Sequence, residues 1–390
     1  MNPHREHDMQ SVIRRRSGVA LPMVLGSLVL IGVLIAGVMF ASVQEFRIGA
    51  NTTHQTRAAT AAEFGLNRVL VDWNPASNTT MLTGDTLKRT YTLSTGGTAN
   101  VLVTRLPGPF YWVASEGQAG ASRVDLSSRR VFGSLLRLDT PEIGFLGALT
   151  GRGNVTVGGT ALISGYDGPP AGWTGCPAGA SVAGVALGDT TAAGLKINGC
   201  SGSACVVGIP SYLQTPVAQD TSTYFNYGSS NYSLLAASAT KVIPGGTTLA
   251  GVTPVAIGAA CQTALLTNWG DPSRTAPAGP CTRYYPTIHA LGNLHITGSK
   301  GQDLLLVDGD LQISGGFYWV GMIVVRGTLR TTGAGAGIIG AVMAANVKLD
   351  DDITVTGNSY IRYSSCRVLN ALQATAMLTP VKERAWVEVF

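Results

Sequence analysis

The sequence predicts an α+β chain in three parts: a long amino-terminal helix, transmembrane first and amphipathic later, then a small antiparallel sheet, then a mainly-β, right-handed β-helix-like solenoid broken by a Gly/Ser/Thr-rich insertion. Three observations carry this expectation. Val19 to Val43 is a run of 25 residues without a charge. Short β-prone runs bounded by glycine recur at a period near 18 residues in the carboxy-terminal half. Charged residues make up 13% of the chain and glycines number 50, against roughly 25% charge in an average domain. That profile suits a turn-rich β protein exposed outside the cytoplasm.

Residues 1–18 read as a polar leader ending in Arg14-Arg15-Arg16-Ser17-Gly18. A helix rising about 1.5 Å per residue crosses a hydrocarbon core of about 30 Å in about 20 residues, so residues 19–43 are long enough to span a bilayer. Positive flanks stay cytoplasmic, which places residues 45–390 outside. A cleaved secretory signal has a shorter apolar core, with its small-residue site after that core. Here the conspicuous small residue, Gly18, comes before it. Gly26, Ser27, Gly32, Ala36 and Gly37 lie along the span. In an assembly they let neighbouring helices approach, and in a lone anchor they are merely tolerated.

Beyond the span the pattern becomes amphipathic. Ala62, Leu66, Val69, Leu70 and Trp73 fall on one helical face, with Arg57, Glu63, Asn67 and Arg68 opposite, and the proline of Asn74-Pro75 ends the helix. The helical part therefore covers residues 19–74. In residues 75–140 the runs Lys88 to Leu93, Ala99 to Leu106, Tyr111 to Ser115 and Arg130 to Leu138 are rich in Val, Tyr, Thr and Leu and are separated by glycine- and proline-containing turns. They read as a small antiparallel sheet packed on the helix.

Residues 141–366 contain the repeat. Leu304 to Gly315 resembles Met322 to Gly333 at an offset of 18, and Ala341 begins the next run 19 residues on. Gly292-Asn-Leu-His-Ile-Thr-Gly298 and Gly153-Asn-Val-Thr-Val-Gly158 are further copies. A period of that length, with glycine at the corners, fits the coils of a β-helix. Periodicity lapses over residues 166–286, which read as an insertion projecting from the solenoid and offering a binding face. Residues 367–390 read as a carboxy-terminal tail.

Six cysteines in an exported chain imply disulfides. Of fifteen connectivities, proximity alone favours Cys200 with Cys205 and Cys261 with Cys281. Zinc is not indicated, because no Cys-x-x-Cys occurs. Gly335-Ala-Gly337-Ile-Ile-Gly340 matches a dinucleotide fingerprint but opens no credible helix. Asp350-Asp351-Asp352 lacks the spaced oxygen ligands of a calcium loop. His54, His289 and His295 lie near no nucleophile elbow. The only series of ionisable residues stacked on successive coils, Asp308, Arg326 and Lys348, has mixed charge. No catalytic, cofactor-binding or metal site is expected. The net charge of +5 falls to about +3 without the leader, which holds four arginines against Glu6 and Asp8, and no basic run follows. Nucleic acid is therefore not an expected partner.

A basic leader ending in glycine before a retained apolar helix resembles the prepilin signal. The stretch Gly18-Val-Ala-Leu-Pro-Met-Val-Leu, with Glu45-Phe-Arg-Ile-Gly-Ala-Asn51 and Ala58-Ala-Thr-Ala-Ala-Glu63-Phe-Gly-Leu66 after it, resembles the amino-terminal module of PilX-type minor pilins over roughly residues 14–73. The resemblance implies cleavage between Gly18 and Val19 by prepilin peptidase, methylation of Val19, residence in the inner membrane, and helix contacts with other pilins or pseudopilins in which Glu63 takes part. Met23 stands where major pilins carry a glutamate, which favours a minor or tip-like subunit. The function expected is thus non-enzymatic, in pilus assembly or adhesion. The alternatives are a membrane-anchored adhesin with a surface or glycan ligand and, third, a β-helical polysaccharide-degrading enzyme.

Overall fold

The structure, a computed structural model, describes residues 20–74, 78, 81–94, 96–120, 127–173, 176–188, 194–199, 205–273, 279–333, 335–347, 352–382 and 386–389. Its architecture is a long amino-terminal helix followed by mainly-β structure in several sheets.

Helix α1 runs over Ala20–Val71, 52 residues, or about 78 Å at the standard rise. Its last turns rest on an antiparallel sheet. Ala58, Ala61, Ala62, Gly65, Leu66 and Val69 are buried there, and Trp73, just past the end, packs edge-on against Tyr111 at 5.1 Å and donates its Nε1 proton to the Ala376 carbonyl at 3.2 Å. The predicted face is therefore the packed one, with Leu70 half-buried at its border. Contact is close because glycine stands on both sides: a Cβ at Gly65 would lie 2.3 Å from Ser115 Oγ, and one at Gly117 would lie 2.0 Å from the Ala58 carbonyl oxygen.

The sheet is formed by β1 (Thr86–Thr92), β2 (Thr98–Arg105), β3 (Phe110–Gly120) and β4 (Ser127–Asp139), in that spatial order and antiparallel throughout. The other edge of β4 is filled from the far end of the chain. Met377–Pro380 pairs with Leu136 to Asp139, and Trp386–Val389 pairs with Val131 to Ser134. Residues assigned by sequence to a tail thus complete this sheet, after a helix α2 (Ser365–Ala374).

Most of the remaining strands form two large parallel sheets, and Asn226–Tyr227 with Ser230–Asn231 and Ala256–Ile257 with Ala260–Cys261 form two small antiparallel pairs. In the seven-stranded sheet the spatial order is Thr247–Ala250, Leu294–Thr297, Leu311–Ser314, Leu329–Thr332, Ile353–Val355, Val155–Gly158 and Leu195–Asn198. Partners such as Leu294, Leu311 and Leu329 stand side by side, 17 and then 18 residues apart. The eleven-stranded sheet follows the same succession, pairing Thr287–Ala290, Lys300–Val307, Tyr318–Val325 and Gly337–Ala344. One buried cluster joins the two, with Ile288, Leu305, Ile323 and Val342 from one sheet and Leu294, Leu311, Leu329 and Ile353 from the other. Glycines after the short strands, such as Gly298 at φ 55° and Gly315 at φ 70°, turn each layer in a conformation that a side chain would strain.

This strand order corrects two expectations. A single solenoid winding continuously through residues 141–366 is not what it describes, because the order leaps from Ile353 to Val155, and Leu149 to Gly151 lie beside Val342 to Ala344. The chain enters the stack in its interior, builds one end, crosses to the other and returns to meet its own first layer. Nor does the whole of residues 166–286 project as an insertion. Ala183–Leu187 lies within the eleven-stranded sheet, between Gly147–Gly151 and Tyr212–Gln214, and Leu195–Asn198, Lys241–Ile243 and Thr247–Ala250 are end layers of the two sheets. Runs of three to five residues in polar, glycine-rich surroundings carry too little periodicity to announce a strand, so their partners had to decide.

Candidate assembly surface

Among the described residues, nothing buries the apolar first half of α1. None of residues 20–57 is buried, and Leu21, Met23, Val29 and Phe40 are each more than 60% exposed. The helix is long and apolar enough to cross a membrane. Apolar surface left in water costs about 25 cal/mol per Å², so this stretch requires lipid or other apolar helices around it. Among the described residues, a Cβ at Gly26, Gly32 or Gly37 would meet no neighbour within 4 Å, leaving those positions open to close approach.

Glu63 is exposed on the lower half of α1. It borders a groove of about 280 Å³ lined by Leu66, Leu70, Leu136, Pro380 and Trp386. Trp386 is 53% exposed and rests on Phe132 with ring centroids 4.7 Å apart. The strand carrying it is held by an ion pair between Arg130 and Glu388 at 2.7 Å. Sequence reasoning missed Trp386 because nothing local ties a strand of four residues to a helix more than 300 positions earlier. The cleavage pair Gly18 and Val19 lies outside the described residues.

The cysteines divide. Cys261 bonds Cys281, as proximity suggested, and Cys205 is disulfide-bonded, with Cys200 outside the described residues. Cys176 bonds Cys366 across 190 residues, a link that spacing could not suggest. It fastens a loop to the start of α2. There Arg367 stacks over Trp173 at 3.7 Å, and Asp167 accepts from the Ser365 backbone N–H at 2.8 Å.

Of the mixed-charge series, Asp308 accepts from Tyr232 OH at 3.0 Å, stands 3.0 Å from His289 Nε2 and 3.7 Å from Arg326. Arg326 lies over the rings of Phe225 and Tyr232. Burial, and then the adjacent Asp308 carboxylate, pushes the Tyr232 phenol far above its ordinary range. These groups satisfy one another and pin the excursion carrying Tyr232 onto the layers. Lys348 lies outside the described residues. Asp352 accepts from Thr156 and Lys196 at 3.3 and 3.4 Å. Asp350 and Asp351 are not among the described residues.

No protein-family model matches the chain, and no curated protein does. Among solved structures, the crystal structure of the competence-associated pilin ComZ from Thermus thermophilus is similar at a TM-score of 0.22 with 11% sequence identity, covering 86% of this chain and 98% of that chain. A likeness at that level carries no argument here.

Proposed function

We propose that this chain is a non-enzymatic, minor-pilin-like subunit, anchored in the inner membrane and joining a type IV pilus or a related secretion pseudopilus. Prepilin peptidase cuts between Gly18 and Val19, and Val19 is then methylated. The uncovered half of α1 bundles with the helices of other pilins, Glu63 contributes to that contact, and the β-helix-like layered head is displayed at the tip or surface for assembly or adhesion. One observation above all supports this reading: a single helix of 52 residues is wholly bare in its apolar first half and packed on an antiparallel sheet in its second. A helix that belonged only to a soluble core would be covered throughout. Met23 in place of an acidic residue, early in the apolar run, fits a minor subunit better than a repeating one.

Mass spectrometry of the mature amino terminus tests the proposal. The expected species begins at a methylated Val19, and Gly18→Ala accumulates uncut. Full-length protein retaining Met1 in cells with active prepilin peptidase would refute it.

A further inference from the structure

The outer side of the seven-stranded sheet carries a groove of about 230 Å³, lined by Thr248, Asn293, His295, Asp310, Gln312 and Arg330. We propose that this groove binds a neutral saccharide. The inference deepens the adhesion part of the reading above and rests on it only for its biological setting, since the groove is formed by the head alone.

Thr248, His295, Gln312 and Arg330 are in register on four consecutive strands, so their side chains form a straight row repeating at about 4.8 Å. A second row lies at the corner and is fixed by its own hydrogen bonds. Asn293 Oδ1 accepts from the Asp310 backbone N–H at 2.9 Å, and Asp310 Oδ1 accepts from Thr328 N–H at 2.8 Å and from its hydroxyl at 3.0 Å. These bonds hold Asp310 still while leaving its second oxygen uncommitted. Among the described residues, that oxygen and the side-chain amide of Gln312 have no hydrogen-bond partner. His295 uses Nε2 on Ser314 at 2.9 Å, which orients the ring.

The lining therefore offers an acceptor-only carboxylate, a donor-only guanidinium and an amide with both functions, on a rigid frame. A hydroxyl is donor and acceptor at once, and a vicinal pair of hydroxyls can give a proton to Asp310 while accepting from Arg330 or Gln312. Asp310 and Arg330 bring one charge of each sign, so the groove has no excess charge to select an ion. Asp352, by contrast, is already engaged by Thr156 and Lys196. The groove has no aromatic platform among its lining residues and is smaller than the roughly 300–1,000 Å³ of drug-sized pockets. Weak binding, on the order of millimolar for a single sugar segment, is what such a site gives, strengthened by repetition wherever several heads face one surface.

The test is saturation-transfer NMR of the full chain in detergent micelles with neutral hexose trisaccharides of α1,4-glucose, β1,4-glucose and α1,2-mannose linkage. At least one is expected to bind. Gln312→Ala and Asp310→Asn, the latter keeping the oxygen that Thr328 needs, are expected to weaken that sugar at least tenfold with unchanged thermal unfolding. Failure of all three sugars, equal binding by the variants, or tighter binding of a uronic-acid trisaccharide or an oligonucleotide overturns the proposal. None of these results depends on whether Gly18 is cut, so loss of this inference and loss of the pilin reading are separable.

Discussion

Asp303 gives the sharpest perturbation. It lies in the strand Lys300–Val307 with φ 90°, is 2% exposed, and neither carboxyl oxygen accepts a well-formed hydrogen bond, the nearby Leu304 backbone N–H offsetting only part of its burial. In register with it on the next two strands stand Gly321 and Gly340, also at positive φ. Burial holds the Asp303 carboxyl well above its ordinary range. The sign follows from linkage. Below about pH 4 the acid is protonated in both states and costs nothing further. Above that, the unfolded chain releases its proton while the folded chain keeps it, so stability falls by about 1.4 kcal/mol per pH unit until the folded group ionises. Strain at positive φ adds about 1 kcal/mol or more. Asp303→Gly removes both penalties and matches the neighbouring layers. Thermal unfolding of the full chain in micelles from about pH 4 to about pH 7 should show the wild type losing stability as pH rises. The variant should gain on the wild type across that window by about 1.4 kcal/mol per pH unit for as long as the folded Asp303 stays protonated, on top of about 1 kcal/mol of relieved strain. A variant that melts below the wild type near neutrality, with a wild-type curve that does not decline, would mean that Asp303 has a partner and the reasoning is wrong.

Two further outcomes are expected. In the chain-entropy view, removing the Cys176–Cys366 link as a double serine variant costs about 5 kcal/mol, against about 3 kcal/mol for Cys261–Cys281, because the closed loops span 190 and 20 residues; chemical denaturation of the two variants checks the order. Gly117→Ala places a methyl group 2.0 Å from the Ala58 carbonyl oxygen and should cost about 1–3 kcal/mol, lifting α1 off β3. Limited proteolysis near Ala58 should accelerate, while Gly37→Ala, which meets nothing, leaves digestion of the head unchanged.

The return of the chain to its own beginning shapes how the molecule must form. The strand Val155–Gly158 needs Ile353–Val355 on one side, and β4 needs Met377–Pro380 and Trp386–Val389 on its open edge. Neither the layered stack nor the head sheet is complete until the carboxy-terminal residues have been made. The 190-residue disulfide from Cys176 to Cys366 locks the same closure.

What the sequence determined by itself is local and periodic. The uncharged run from Val19 to Val43, the face made by Ala62, Leu66, Val69 and Trp73, the four strands before Asp139, and the offsets near 18 between Leu304, Met322 and Ala341 could all be read because each repeats within a window shorter than its own element. What only the tertiary structure decided is everything that joins distant residues. Thr247 to Ala250 and Leu195 to Asn198 become end layers, Trp386 comes to rest beside α1, and Cys176 finds Cys366. The groove lined by Thr248, His295, Gln312 and Arg330 likewise arises only when four strands are laid in register. The reason is physical. A helix face or an alternating strand is specified by spacing along the chain, whereas the choice of a parallel partner depends on which edges remain unpaired and which apolar faces remain uncovered, and a linear sequence does not carry that inventory.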